Sequence, residues 1–265
     1  MQLTKLLTNN IYFKSSIYLS GSDYCRFYLE VQMKAIVLFF CFVFSASSLA
    51  NNIIVNGTRF IYPGNEKEIT VQLNNTADRP AVAQAWLDTG DASETPDTIK
   101  TPFQITPPIS RLDAKGGQTL RIKLMDKNGI PQDKESLWWL NILDIPPTVK
   151  TAGKEDQNFL QLAIRSRFKF IYRPVGLGSR ELAPEQLVVN ANGNNLTINN
   201  PTPFFITITK ISTDGKNGLT DKAVMLAPKS QTSVVLKKAI RAGESVVLNN
   251  INDYGADIAV KTTAK

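Results

Sequence analysis

From Phe159 to Tyr172 apolar and cationic side chains alternate: Leu160, Leu162, Ile164, Phe168, Phe170 and Tyr172 share one parity, while Gln161, Ala163, Arg165, Arg167 and Lys169 share the other. A period of two belongs to a β-strand with two unlike faces. The chemistry open to such a strand is non-covalent. Backbone N–H and C=O groups along an exposed edge can pair with another chain while alternate apolar side chains fill its pockets. At roughly 3.3 Å per residue the segment would run about 46 Å, well beyond the five or six residues of an ordinary strand. Part of it therefore outruns its own core. Two readings remain open from the pattern: a core strand, or a pairing surface covered by a second copy or a partner.

Residues for covalent chemistry are scarce. The chain has no histidine, which removes the usual neutral-pH general base and the commonest metal ligand. Asp88, Asp91, Asp97 and Asp133 fall in turn-like segments, with no spacing that sets two carboxylates across a bond to be hydrolysed. No enzyme, cofactor or metal is expected. Both cysteines, Cys25 and Cys41, lie within the first fifty residues.

Those fifty residues read as a separate region. Met33 and Lys34 precede the apolar run Ala35 to Phe44 and the small-residue stretch Ser48-Leu49-Ala50, the pattern of a secretory signal cleaved before Asn51. The run is shorter than the roughly 20 residues a spanning helix needs. Residues 1–32 then stand upstream of the true start at Met33, 33–50 form the signal, and the mature chain is secreted without inserting in a membrane. It holds no thiol, so its stability must come from its core. Removing the four cations and two carboxylates before Asn51 from the totals of 30 and 23 leaves a net charge of +5. No basic block with interleaved aromatics accompanies that charge, which argues against nucleic acid.

The elements that must hold the long strand are themselves strands. Ile69, Val71 and Leu73 alternate with Glu68, Thr70 and Gln72, and Leu120, Ile122 and Leu124 repeat the pattern. Turn signals recur at Pro63-Gly64, Lys115-Gly116-Gly117, Lys127-Asn128-Gly129, Asn192-Gly193-Asn194 and Asp214-Gly215. No long amphipathic helix interrupts them. Arg173-Pro174-Val175-Gly176-Leu177-Gly178 breaks the long strand and divides the mature chain into 51–174 and 178–265. The chain reads as all-β: two immunoglobulin-like β-sandwich domains, seven-stranded and roughly 100 residues each, without the Cys-Trp-Cys signature of antibody domains.

These residues also carry a family resemblance. The run Leu160 to Pro174 (LQLAIRSRFKFIYRP) resembles the signature strand of the periplasmic pilus-assembly chaperones of the chaperone–usher pathway. Gly57-Thr58-Arg59-Phe60-Ile61-Tyr62-Pro63, Gln84-Ala85-Trp86, Thr106-Pro107-Pro108, Asn199-Asn200-Pro201-Thr202-Pro203 and Ile251-Asn252-Asp253-Tyr254-Gly255 follow in that family's order. The resemblance implies two immunoglobulin-like domains set at an angle, with Arg59 and Lys169 in the cleft gripping the C-terminal carboxylate of a pilus subunit. It implies that Asn158, Leu160, Leu162 and Ile164 lend a strand to a subunit lacking its last one. It implies that Glu135, Arg173 and Asp253 form salt bridges between the domains, as exposed pairs that bias the interdomain angle more than they hold it. An outer-membrane usher would receive the subunit, and the free form could shield its edge by self-association. The ten-residue connection Thr148 to Gln157 resembles the family's short-loop branch. A rival reading is a secreted immunoglobulin-like adhesin or carbohydrate-binding module using Trp86, Trp138 and Trp139. Their places in alternating strands assign at least two of these to core packing.

Overall fold

The computed structural model describes residues 53–147 and 162–265, together with Gln32. The signal segment, the 148–157 connection, Asn158 and Leu160 lie outside the described residues.

Two hydrophobic cores organise the chain. Around the first lie β1 (Ile53–Val55), β2 (Arg59–Pro63), β3 (Glu68–Asn75), β4 (Ala81–Asp88), β5 (Phe103–Thr106), β6 (Ile109–Leu112), β7 (Gly117–Leu124), β8 (Ser136–Ile145) and β9 (Ile164–Arg173). They form a four-stranded sheet, β1-β3-β7-β5, and a five-stranded sheet, β2-β9-β8-β4-β6. Those nine segments reduce to the seven strands of an immunoglobulin-like sandwich, because two strands change sheets partway. Between β1 and β2 the chain crosses at Gly57, whose φ of 136° lies in the region that favours glycine. Between β5 and β6 it crosses at Pro107-Pro108, which cannot donate to a ladder.

Around the second core lie β10 (Val188–Asn192), β11 (Asn195–Asn200), β12 (Ile206–Ser212), β13 (Val224–Leu226), β14 (Ser230–Val235), β15 (Ser245–Ile251) and β16 (Asp257–Thr263). Their sheets are β10-β11-β14 and β13-β12-β15-β16. A short 3-10 helix, Ala183–Gln186, precedes β10. The β10–β11 hairpin pairs Asn192 with Asn195 around Gly193 at φ 60°. Glycine at the first position of a two-residue loop matches the twist of the strands it joins. At the end of β11, the buried Asn200 amide donates to Phe204 and Ala227 carbonyls and its oxygen accepts from Thr202, fixing the NPTP bend.

The alternation fixes which faces are buried. Val71 and Leu73 of β3 and Leu120 and Ile122 of β7 face Leu140 and Ile142 of β8 and Phe170 and Tyr172 of β9. Tyr62, Phe103, Phe170 and Tyr172 pack with ring centroids 4.9 to 6.3 Å apart. Trp138 joins them, 5.0 Å from Phe103.

Two expectations are corrected here. Only Trp138 of the three tryptophans packs on the core. Trp86 and Trp139 sit on the outer face of the five-stranded sheet with arginines stacked on them. Asp88 is not in a turn: it closes β4 and is fully buried.

Candidate functional site: a cation pair beside a half-paired strand

β9 has different neighbours along its length. Against β8 it is paired from Ile164 to Tyr172. Against β2, a parallel neighbour, it is paired only from Lys169 to Arg173. The stretch 164–168 therefore has a ladder on one flank and none on the other among the described residues. Leu162, just before β9, is 64% exposed, and Ile164 is 40% exposed. In the described residues the strand itself begins at Ile164, later than the alternation predicts.

Where the second flank closes, the register sets Arg59 opposite Lys169. These two, named from the sequence as a carboxylate anchor, are brought together. Lys169 Nζ donates to Thr207 Oγ1 of β12 at 2.6 Å, across the junction of the two sandwiches. Burial, and then the neighbouring Arg59 charge, pull the Lys169 ammonium down to about 8. Burial likewise lowers Arg59, with Asp253 pulling the other way. Arg59 Nε is buried without a hydrogen-bond partner. Neither cation joins an ion pair among the described residues. Two half-buried like charges held side by side suit an anion, and a carboxylate there would accept charge-assisted hydrogen bonds from both.

The predicted ionic set of Glu135, Arg173 and Asp253 is also brought together. Arg173 Nε donates to Glu135 Oε1 at 2.7 Å, and its two terminal nitrogens grip Asp253 at 2.6 and 2.9 Å. Glu135 is not the exposed partner expected: its side chain is 1% exposed. Its second oxygen accepts the Phe205 N–H at 2.7 Å, and its own N–H donates to the Pro203 carbonyl at 2.9 Å. Burial raises its carboxyl, against the lowering influence of Arg173 and the Phe205 N–H.

Sequence reasoning missed Thr207 and the two arginines stacked on the outer face. Thr207 has the parity opposite to the buried Ile206 and Ile208, but no motif ties it to Lys169. Among the described residues no group of histidines, cysteines or carboxylates could hold a metal ion.

Two immunoglobulin-like sandwiches, an uncompensated cation pair between them and a strand with one open flank define a binding protein for an extended polypeptide. A family model described as the pili and flagellar-assembly chaperone PapD N-terminal domain matches residues 52–178, and one for the PapD C-terminal domain matches 182–262. The chain is 65% identical over 233 residues, 88% of its length and 100% of the relative's, to chaperone protein MrkB of Klebsiella pneumoniae. Among solved structures, the Pseudomonas aeruginosa CupB2 chaperone is 33% identical with a TM-score of 0.67, covering 80% of this chain and 100% of that one. The Salmonella enterica SafB chaperone, solved in complex with the SafA pilin, is 25% identical with a TM-score of 0.69, over 82% and 98% of the two chains. The chain belongs to the PapD family of pilus-assembly chaperones.

Proposed function

We propose that this chain is a periplasmic chaperone that completes pilus subunits by donating β9 and the residues before it, and then delivers them to an outer-membrane usher. The observation that carries the reading is the half-open β9 ending at the Arg59–Lys169 pair. A subunit that lacks a strand exposes its core along one side. Asn158, Leu160, Leu162 and Ile164 form the donor, each buried Leu or Ile contributing roughly 1.5 to 3 kcal/mol. Main-chain bonds cap the subunit's edge at the same time. The subunit's C-terminal carboxylate sits on Arg59 and Lys169, which fixes the register in which the strands pair. Glu135, Arg173 and Asp253 orient the two domains, 51–174 and 178–265, and the segment 33–50 directs export and is removed before Asn51. No nucleotide or other cofactor enters this scheme, because the subunit's folding energy drives its later transfer. The relative solved with its pilin supports the partner class. The carbohydrate-platform alternative is disfavoured because Trp86 and Trp139 each carry a guanidinium on the ring, at 4.8 and 4.6 Å.

The test is co-expression in the periplasm with a pilin, followed by recovery of a one-to-one complex. Lys169→Ala and Arg59→Ala should fold as the parent does and recover no subunit. Undiminished recovery by either variant would overturn the anchor.

A further inference from the structure

The outer face of the five-stranded sheet carries a buried charge cluster that subunit capture does not explain. Register places Asp88, Trp139, Lys169 and Arg59 in one row across β4, β8, β9 and β2, with Trp86, Asn141 and Arg167 in the next row. Asp88 lies at the centre of the cluster. Its Oδ2 accepts from Asn141 Nδ2 at 2.7 Å, Arg167 Nε at 3.0 Å and Arg165 Nη2 at 3.3 Å. Its Oδ1 accepts from the Gly90 N–H at 2.8 Å and from Arg167 Nη2. Arg165 spends its remaining nitrogens on Asn141 Oδ1 and the Ala92 carbonyl, at 2.8 and 2.7 Å. Burial alone would push the Asp88 carboxyl up, but the bonds from Arg167, Asn141 and Gly90 outweigh it and hold the group below its ordinary value.

The location of the two arginines gives the cluster its meaning. Both stand on residues 164–168, the half of β9 that β2 does not pair. A strand with a ladder on one flank opens more readily than one held on both. Here the missing ladder is replaced by side chains, since Arg165 and Arg167 reach across β8 to a carboxylate fixed at the end of β4.

We propose that Asp88 is a positioning residue that clamps the open-edged half of β9 flat against β8, so that the donor strand is already extended when a subunit arrives. This rests on the reading of β9 as donor. Asp88 sits two strands away from the open edge, so it contributes through the conformation it selects and not through contact. When only a fraction of molecules holds the competent strand, apparent affinity falls by that fraction. The loss appears in association, because the finished complex makes the same contacts.

Hydrogen exchange on the full chain tests the clamp, together with the kinetics of binding a pilin presented unfolded. In Asp88→Asn the β8-bonded amides of residues 164–168 should exchange roughly tenfold faster, while those of Phe170 to Tyr172, held on both flanks, keep their protection. The pilin association rate should fall severalfold with the dissociation rate unchanged. Arg167→Gln, at a quarter-exposed side chain, should reproduce the effect if Asp88→Asn folds poorly. Combining the two should add little to either, as expected of partners in one network. Unchanged exchange at 164–168, or equal acceleration in every strand, would overturn the proposal, as would a faster dissociation with association intact. If the parent chain bound no pilin while exchange responded as stated, the clamp would stand and the donor reading would fall.

Discussion

At Lys169 two effects act in the same direction. The half-buried ammonium has lost water, and Arg59 stands beside it in the parallel register, so its proton is held to only about pH 8 against 10.5 for an ordinary lysine. Between those values the unfolded chain binds the proton that the folded chain has released, and stability therefore rises with pH across the window from about 8 to 10.5. Urea unfolding of the free protein should show that rise and Lys169→Met should lack it, so that the difference between the two proteins grows with pH across the window. A pH-independent difference would mean that the ammonium is better solvated than its surroundings indicate. Bound carboxylate reverses the balance, because an opposite charge within a few ångströms favours the protonated lysine. Subunit capture should therefore take up a proton near pH 8 and weaken as pH climbs through that value, readable by calorimetry in buffers of different ionisation enthalpy. Arg59, with its much higher pKa, should not contribute to this dependence.

At the scale of the strand, β9 divides into a half laddered on both flanks and a half laddered on one. Phe170 is fully buried among aromatic rings, so Phe170→Ala should cost about 3 to 5 kcal/mol in urea unfolding. Leu162 is mostly exposed, so Leu162→Asp should leave stability within about 0.5 kcal/mol and abolish recovery of the pilin complex. A loss of several kcal/mol at Leu162 would identify it as a core residue. The alternation from Leu160 to Tyr172 made the strand legible in sequence, because parity is local. What it could not disclose is where the second flank stops, since that depends on how far β2 runs alongside, a tertiary matter. The tryptophans show the same limit. Trp138 and Trp139 are adjacent in β8, and neighbours in a strand point to opposite faces, so one of the pair had to leave the core. Trp86 shares its parity with Gln84 and Asp88, while Ala81, Ala83, Ala85 and Leu87 take the buried face. Small alanines at the buried positions of β4 hid that assignment from a reading based on residue size.

At the scale of the molecule, polar contacts join the two sandwiches. Lys169 reaches Thr207, Lys229 reaches Asp133, and Arg173 bridges Glu135 to Asp253. The sequence identified the members of the last set but not their burial, and burial changes its energetics. An exposed pair is worth about 0 to 1 kcal/mol, whereas stripping the partner from a buried charge costs about 3 to 5 kcal/mol. Arg173→Ala leaves Glu135 with the Phe205 N–H and the nearby Arg180 charge, in a site that already holds its carboxyl above the ordinary value of 4.5. Removing the guanidinium should raise it further. A carboxyl with a raised folded pKa binds its proton more tightly in the folded state, so its contribution to stability is retained in acid and lost as pH rises through the folded value. The penalty of Arg173→Ala should therefore be small near pH 4.5 and grow toward neutrality. The double substitution Glu135→Gln with Arg173→Met should recover much of the loss, because the buried side chain at position 135 then carries no charge. Urea unfolding of the three proteins across that pH range decides the matter: a penalty below about 1 kcal/mol that ignores pH would return the set to the behaviour of surface pairs.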